Sequence, residues 1–195
     1  MLEVLAPTVV PGPELRTRSL LLRPPRAADY PAWSALRAES RAFLAPWEPL
    51  WPPDSLSQRA YRARLLHYRE EHRLGSGYYF HLIRRSDQVL LGGISLTNLR
   101  RGVAQSVALG YWMGQPHARR GYMSEALVAC LDFCFERLRL HRVEAACLPE
   151  NEASRRLLLK LGFREEGVAR GSLEIAGAWR DHVQHAVLSS DPRGG

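Results

Sequence analysis

Arg119-Arg120-Gly121-Tyr122-Met123-Ser124 lies between two unlike stretches. Upstream, Ser106 to Met113, with Val107, Tyr111 and Trp112, reads as a strand. Downstream, Met123, Leu127, Cys130, Leu131, Cys134 and Leu138 recur at helical spacing, so one apolar stripe runs over 119–138 and marks a helix that starts at about Tyr122. Val143 to Leu148 supplies the next strand. A strand turning into a helix and then into a second strand, after helices and a three-strand meander, points to a mixed α/β domain with a central sheet. The turn also carries chemistry. The first turn of a helix leaves backbone N–H groups unpaired, and the helix dipole favours an anion in front of them. Gly121 lets the backbone come close to a ligand. Arg119 and Arg120 add charge, and the Ser124 hydroxyl adds a donor. Taken alone, the same residues also describe a helix that simply begins after a loop. Gly-x-Gly-x-x-Gly and Gly-x-x-x-x-Gly-Lys-Ser/Thr are both absent, so neither a dinucleotide nor an ATP phosphate loop is indicated.

Working outward, Leu15 to Arg23 reads as a first strand and Ala28 to Glu39 as a helix. The run 43–49 reads as a proline-punctuated loop. Ser57 caps a helix reaching Arg73, with Tyr61, Leu65 and Tyr68 on one face. Tyr78–Arg84 and Val89–Leu96 form a hairpin across Ser86-Asp87. Ala153 to Leu161 is a helix stopped by Gly162, and two closing strands, 163–175 and 179–188, turn at Ala176-Gly177. The expected division is a loose tail over 1–14, one domain over 15–189 and a loose tail over 190–195.

The 195 residues suffice for one domain with a sizeable core. No stretch approaches the roughly 20 apolar residues of a membrane helix, and the N-terminus does not read as a signal peptide. Cys130, Cys134 and Cys147 cannot pair off fully and lack Cys-x-x-Cys spacing, which places the chain in a reducing cytoplasm. The net charge is +7, with pI near 9.8, and Lys160 is the only lysine. Arginine pairs are scattered and form no basic tract, so DNA is not an expected partner; a codon bias toward arginine accounts for the charge without any partner, and an acidic ligand or a ribosome is the functional alternative. His182 and His185 are three apart on a strand and point to opposite faces, so no metal is expected there.

Leu109-Gly110-Tyr111-Trp112-Met113 followed by Arg120-Gly121-Tyr122-Met123-Ser124-Glu125-Ala126 resembles the acetyl-CoA motif of the GNAT N-acetyltransferase superfamily. Asn151-x-x-Ser154 and Leu161-Gly162-Phe163 match that superfamily's next motif. Phe43-Leu44-x-Pro46-Trp47-Glu48-Pro49 and Trp179-Arg180-Asp181-His182-Val183 resemble, more narrowly, the RimJ group of ribosomal-protein alanine N-acetyltransferases. The similarity extends from about residue 16 to 189.

The resemblance implies a mixed sheet of about seven strands, flanked by helices and splayed between strands 106–113 and 143–148. It implies a bulge in the first of these two. Acetyl-CoA would wedge into the gap as cosubstrate, with no metal. Backbone groups of Tyr111, Trp112 and Met113 would pair with its pantetheine arm and polarise the thioester carbonyl. Arg119, Arg120, Gly121, Tyr122, Met123 and Ser124 would hold the pyrophosphate. Asn151 would orient the cosubstrate, and Ser154 would protonate the leaving thiolate. The tyrosine that many members carry four residues further on is Leu158 here. The strand carboxylate of many relatives is missing, since Val107 and Ala108 stand nearby, so Glu125 is the nearest candidate base and also a candidate for stabilising the helix start. Trp47, Glu48 and Asp181 are candidate acceptor contacts, and Trp51 joins Trp47 as a candidate for lining a substrate groove, with aromatic packing the equal alternative. The resemblance implies transfer to the N-terminal α-amine of a protein, alanine on a ribosomal protein foremost, by a monomer or homodimer that can associate with the ribosome. A small amine such as an aminoglycoside or polyamine, and a non-catalytic acyl-CoA- or ribosome-binding module, are the alternatives.

Overall fold

The computed structural model describes residues 10–192. Eight strands form one sheet: β1 (Leu15–Arg16), β2 (Leu20–Arg23), β3 (Tyr78–Arg84), β4 (Leu90–Arg100), β5 (Ser106–Met113), β6 (Arg142–Cys147), β7 (Arg164–Ile175) and β8 (Ala178–Leu188). Their order is β1-β2-β3-β4-β5-β6-β8-β7. The sheet has one strand more than expected, because Thr17 breaks the 15–23 run. Its hydroxyl accepts the Leu20 N–H and folds the run into a hairpin.

Helices cover both faces. On one face, α1 (Tyr30–Glu39) and α3 (Gln58–Leu74) bury Trp33, Leu36, Tyr61 and Leu65 against Ile83 and Leu90. On the other, α4 (Tyr122–Asp132) packs into the larger core, where Leu20, Leu82, Leu127 and Val143 are fully enclosed. At about 1.5–3 kcal/mol for each fully buried large apolar side chain, these two layers hold the sheet between them. Ser57 caps α3 by accepting the Ala60 N–H, and left-handed Gly75 ends it. The 43–49 run is not the expected loop. Arg41–Leu44 is a short helix, α2, and Ala45–Trp47 a 3-10 turn, with Pro46 in an opening position where its missing N–H costs nothing. The apolar stripe over 119–138 belongs to a helix that begins at Tyr122, as the turn before it implies, and continues past Asp132 as a π-turn over Phe133–Arg137. Val10 is buried and donates its N–H to the Pro25 carbonyl, so the N-terminal segment is docked from that residue onward. Residues 1–9 and 193–195 lie outside the described residues.

The central feature is the β5–β6 pairing. The two strands run parallel but share only Ser106↔Arg142, Val107↔Val143 and Ala108↔Glu144. Beyond that point they diverge, while β5 stays paired to β4 as far as Met113 and β6 to β8 as far as Cys147. The expected bulge sits one strand away. Between Thr97↔Ala108 and Arg100↔Ser106 the extra residue belongs to β4, where Asn98 takes a φ of 52°.

Candidate active site

Three features meet at the splay. The first is the turn into α4. Arg119 and Gly121 have φ of 60° and 83°, so the chain reverses twice in the left-handed region before the helix begins. The first bond of α4 runs from the Glu125 N–H to the Gly121 carbonyl, and no side chain caps the helix. The preceding N–H groups are the orphan donors of a helix start. A Cβ built on Gly121 meets nothing within 4 Å, so the approach to them is open. Arg119 and Arg120 are exposed beside it. The Met123 side chain is in the core, which leaves only its backbone for a ligand. Tyr122 lies under the Arg84 guanidinium, 6.0 Å from the ring centroid. Open donors, two free-standing arginines and a parted sheet suit a phosphate-bearing thioester.

The second feature crosses the gap. Asn151 caps α5 (Glu152–Lys160) by accepting the Ser154 N–H at 3.1 Å. This fixes Ser154, whose hydroxyl lies 2.6 Å from the Tyr111 hydroxyl on β5. Burial pushes the Tyr111 phenol up to about 12, and the bond to Ser154 offsets part of that rise. Cys147 of β6 joins them. Burial raises its thiol, and contact with Ser154 works against the rise. Tyr111, expected to act through its backbone alone, therefore brings its side chain as well.

The third feature is a groove of about 600 Å³ on the opposite face of the sheet. Trp51, Arg37, Tyr68, Tyr79 and Trp112 line it, and Gly110 of β5 forms part of its floor. Gly93 makes room for Trp112, since a Cβ there would stand 2.7 Å from the indole nitrogen. Arg37 sits 4.1 Å from the Trp51 ring centroid and 4.9 Å from that of Trp112. Its guanidinium meets Glu48 in a fork, at 2.7 and 2.6 Å, and the Trp51 indole N–H also donates to Glu48. The Glu48 carboxylate is thus committed to the wall. Its carbonyl accepts the Ala176 N–H, tying the tip of the β7–β8 hairpin to the groove. Trp51 is legible in sequence as a groove aromatic, but Arg37 has no local signature there. They become neighbours only when α1 folds against the loop after Pro49.

Three of the expected site residues lie elsewhere. Glu125 accepts the Ser19 N–H at 2.7 Å, clasping the β1–β2 turn. Burial would raise its carboxyl, but hydrogen bonds from Thr17 and Ser19 outweigh that and hold it below its ordinary value. It is an anchored anion and not a base at the splay. Asp181 accepts the Gly171 N–H at 2.8 Å and pins the irregular part of β7. Trp47 is on the outer surface, and Trp51 is the tryptophan of the groove. Among the described residues no cluster of three or more His, Cys, Asp or Glu could hold a metal ion.

The sequence profile of the Acetyltransferase (GNAT) domain matches residues 19–164. The chain belongs to the GNAT acetyltransferases. This GNAT enzyme is 36% identical over 184 residues to the [Ribosomal protein uS5]-alanine N-acetyltransferase of Escherichia coli K12, covering 93% of this chain and 94% of that one. It is 33% identical over 177 residues to the probable N-acetyltransferase YjcK of Bacillus subtilis 168, covering 91% and 98%. Its fold superposes on Mycobacterium smegmatis RimJ in complex with CoA-disulfide with a TM-score of 0.83 at 34% identity, covering 94% and 88%. The N-acetyltransferase therefore has the open eight-stranded sheet of its family, and acetyl-CoA is the acyl donor that the family uses. The parting of β5 and β6 is where the resemblance places that donor.

Proposed function

We propose that this acetyltransferase modifies the N-terminal α-amine of a ribosomal protein in the cytoplasm, with alanine the preferred first residue. The observation that carries this reading is the groove. It ends at the splay, its walls are largely aromatic, and the one carboxylate lining it is neutralised by Arg37. Arg64, His67 and His81 also line it. Such walls suit a short extended peptide. They offer nothing to an aminoglycoside or polyamine, which is polycationic and needs free carboxylates. The name of the Escherichia coli relative supports a ribosomal-protein acceptor.

In this reading the α4 turn and Arg119–Arg120 hold the pyrophosphate, the free edge of β5 from Tyr111 to Met113 orients the thioester, and Ser154 serves the departing sulfur. Attack occurs directly, with both reactants held together, so orientation supplies much of the acceleration. The acceptor amine has a reference pKa of about 7.7–8.0 and is partly neutral near pH 7. His81 is not placed to deprotonate it. His81 pairs with Gly93 and Gly93 with Trp112, so the histidine is two strands from β5, roughly 10 Å at strand spacing, with the indole in between. Intact-mass measurement after incubation with acetyl-CoA tests the acceptor. A peptide beginning with alanine should gain one acetyl group, and the same peptide already N-acetylated should gain none. Label entering the blocked peptide, or efficient acetylation of spermidine, would overturn the assignment.

A further inference from the structure

We propose that Tyr111 acts through Ser154 as the second member of a hydroxyl relay, so that acyl transfer proceeds without a carboxylate base. The inference rests on Ser154 serving the sulfur, as in the reading above. Three observations support it. The two hydroxyls are 2.6 Å apart and join β5 to α5 across the parted strands. Ser154 is held in place by the Asn151 cap. The carboxylates that could have competed are engaged elsewhere: Glu125 with Ser19, Glu48 with Arg37, Asp181 with Gly171, and Glu144 with Arg100 and Arg142.

Charge decides between a simple acid and a relay. A hydroxyl that only gives up its proton ends as an anion. A thiol has a reference pKa of about 8.5 and tyrosine about 10, and burial at this site makes Tyr111 hold its proton more tightly still. Leaving the charge on either hydroxyl would therefore run uphill from the thiolate. The pair can end neutral only if it gains a proton as it loses one, and the attacking nitrogen carries the surplus. The step balances as follows. The nitrogen lone pair forms the bond to the acyl carbon, and the carbon–sulfur bond breaks with its electrons on sulfur. Ser154 Oγ passes its proton to sulfur and takes one from Tyr111 Oη. Tyr111 Oη takes the surplus proton from nitrogen through water in the gap between β5 and β6, because the groove that delivers the amine lies on the other face of the sheet. The products are the amide and the thiol, and both hydroxyls are restored. Cys147 has no role in the transfer; it packs against Ser154 from β6.

Tyr111→Phe removes one oxygen and keeps the ring. Calorimetry with CoA should give unchanged affinity, while kcat falls by about 10²-fold with little change in peptide KM. Ser154→Ala should behave alike, and the double variant should be no slower than the slower single one. The wild type should show a curved proton inventory in mixed light and heavy water, and Tyr111→Phe a linear one. Independently of turnover, the ¹³Cζ resonance of Tyr111 should move in Ser154→Ala and move again when CoA binds the wild type. Wild-type kcat in Tyr111→Phe, or losses that multiply in the double variant, would overturn the relay. Rates are measured in parallel on an alanine-starting peptide and on acetyl-CoA hydrolysis, in which water carries the surplus proton. An unmodified peptide alongside relay-dependent hydrolysis would sink the acceptor reading and leave the relay standing.

Discussion

Gly121 has a φ of 83°, a backbone conformation that costs other residues dearly, yet nothing lies within 4 Å of where its side chain would be. Sterics at this residue therefore protect a ligand's space and not the protein's packing. Gly121→Val should lower stability by about 1–3 kcal/mol through backbone strain and abolish CoA binding, because the branched side chain would stand before the orphan donors of α4. Unchanged CoA affinity by calorimetry would remove the turn from the phosphate site. The turn was legible in sequence because its parts are consecutive. The Tyr111–Ser154 contact was not, since its partners are 43 residues apart and a strand tyrosine carries no mark of what its hydroxyl meets. Glu125 shows the converse. Its place in the first turn of α4 was read correctly, but the Thr17–Ser19 turn that claims its carboxylate lies 106 residues away from it.

Among the elements, α5 links structure to chemistry most directly. Its cap and the hydroxyl proposed to serve the sulfur depend on one hydrogen bond, Ser154 N–H to Asn151. Asn151→Ala should cost about 1 kcal/mol, seen as a lowered thermal midpoint. It should also lower kcat at temperatures where the protein remains fully folded, because Ser154 loses the bond that aims it toward Tyr111. A loss of stability with unchanged kcat would show that the cap matters only to the helix. Most elements were legible from period and caps: β5 matches its expected bounds, and α3 starts where Ser57 said it would. The exceptions have local causes. The 41–47 segment is helical although its prolines and aromatics read as loop, since Pro46 falls where a short helical turn tolerates it. The bulge sits on β4 and not β5, because an extra residue in a ladder can be accommodated by either strand and pattern alone does not choose.

At the scale of the molecule, Arg23, Asp29 and His81 join β2, the entry to α1 and β3. Asp29 accepts a fork from Arg23 at 2.8 and 2.6 Å and meets His81 at 3.0 Å. Burial alone would raise the Asp29 carboxyl, but Arg23 and His81 bring it well below the carboxylate range. Burial lowers the His81 imidazole against the pull of Asp29. These two shifts pull in opposite senses, since a neutral histidine adds little charge to hold the carboxylate. Arg23, charged at every accessible pH, is the partner that matters, and a neutral His81 donates Nδ1–H. Both groups take up protons more readily when unfolded, so both contributions are complete at neutral pH and fade on acidification. His81's begins to be lost below about 6.5 and Asp29's below about 3.9. Urea midpoints measured from pH 8 to 5 should therefore hold level and then fall, and the fall above pH 5 should shrink in His81→Gln, leaving the part due to His117, whose imidazole burial also lowers. Asp29→Asn, which strands Arg23 in a mostly buried setting, should cost about 3–5 kcal/mol at pH 7.

The parted strands have one more consequence. Past Ala108 and Glu144, β5 and β6 each present a free margin inside the sheet, so the apo protein carries two internal edges of the kind that proteins usually blunt at their periphery. Any extended chain able to enter could zip onto them, including a neighbouring molecule at high concentration. In the proposed reading, bound CoA would cover both margins and so protect its own enzyme. Stripped of CoA, the purified protein should aggregate earlier on heating, with turbidity onset restored by added CoA and not by an equal concentration of pyrophosphate, which in the proposed reading would fill the α4 turn and leave the margins bare.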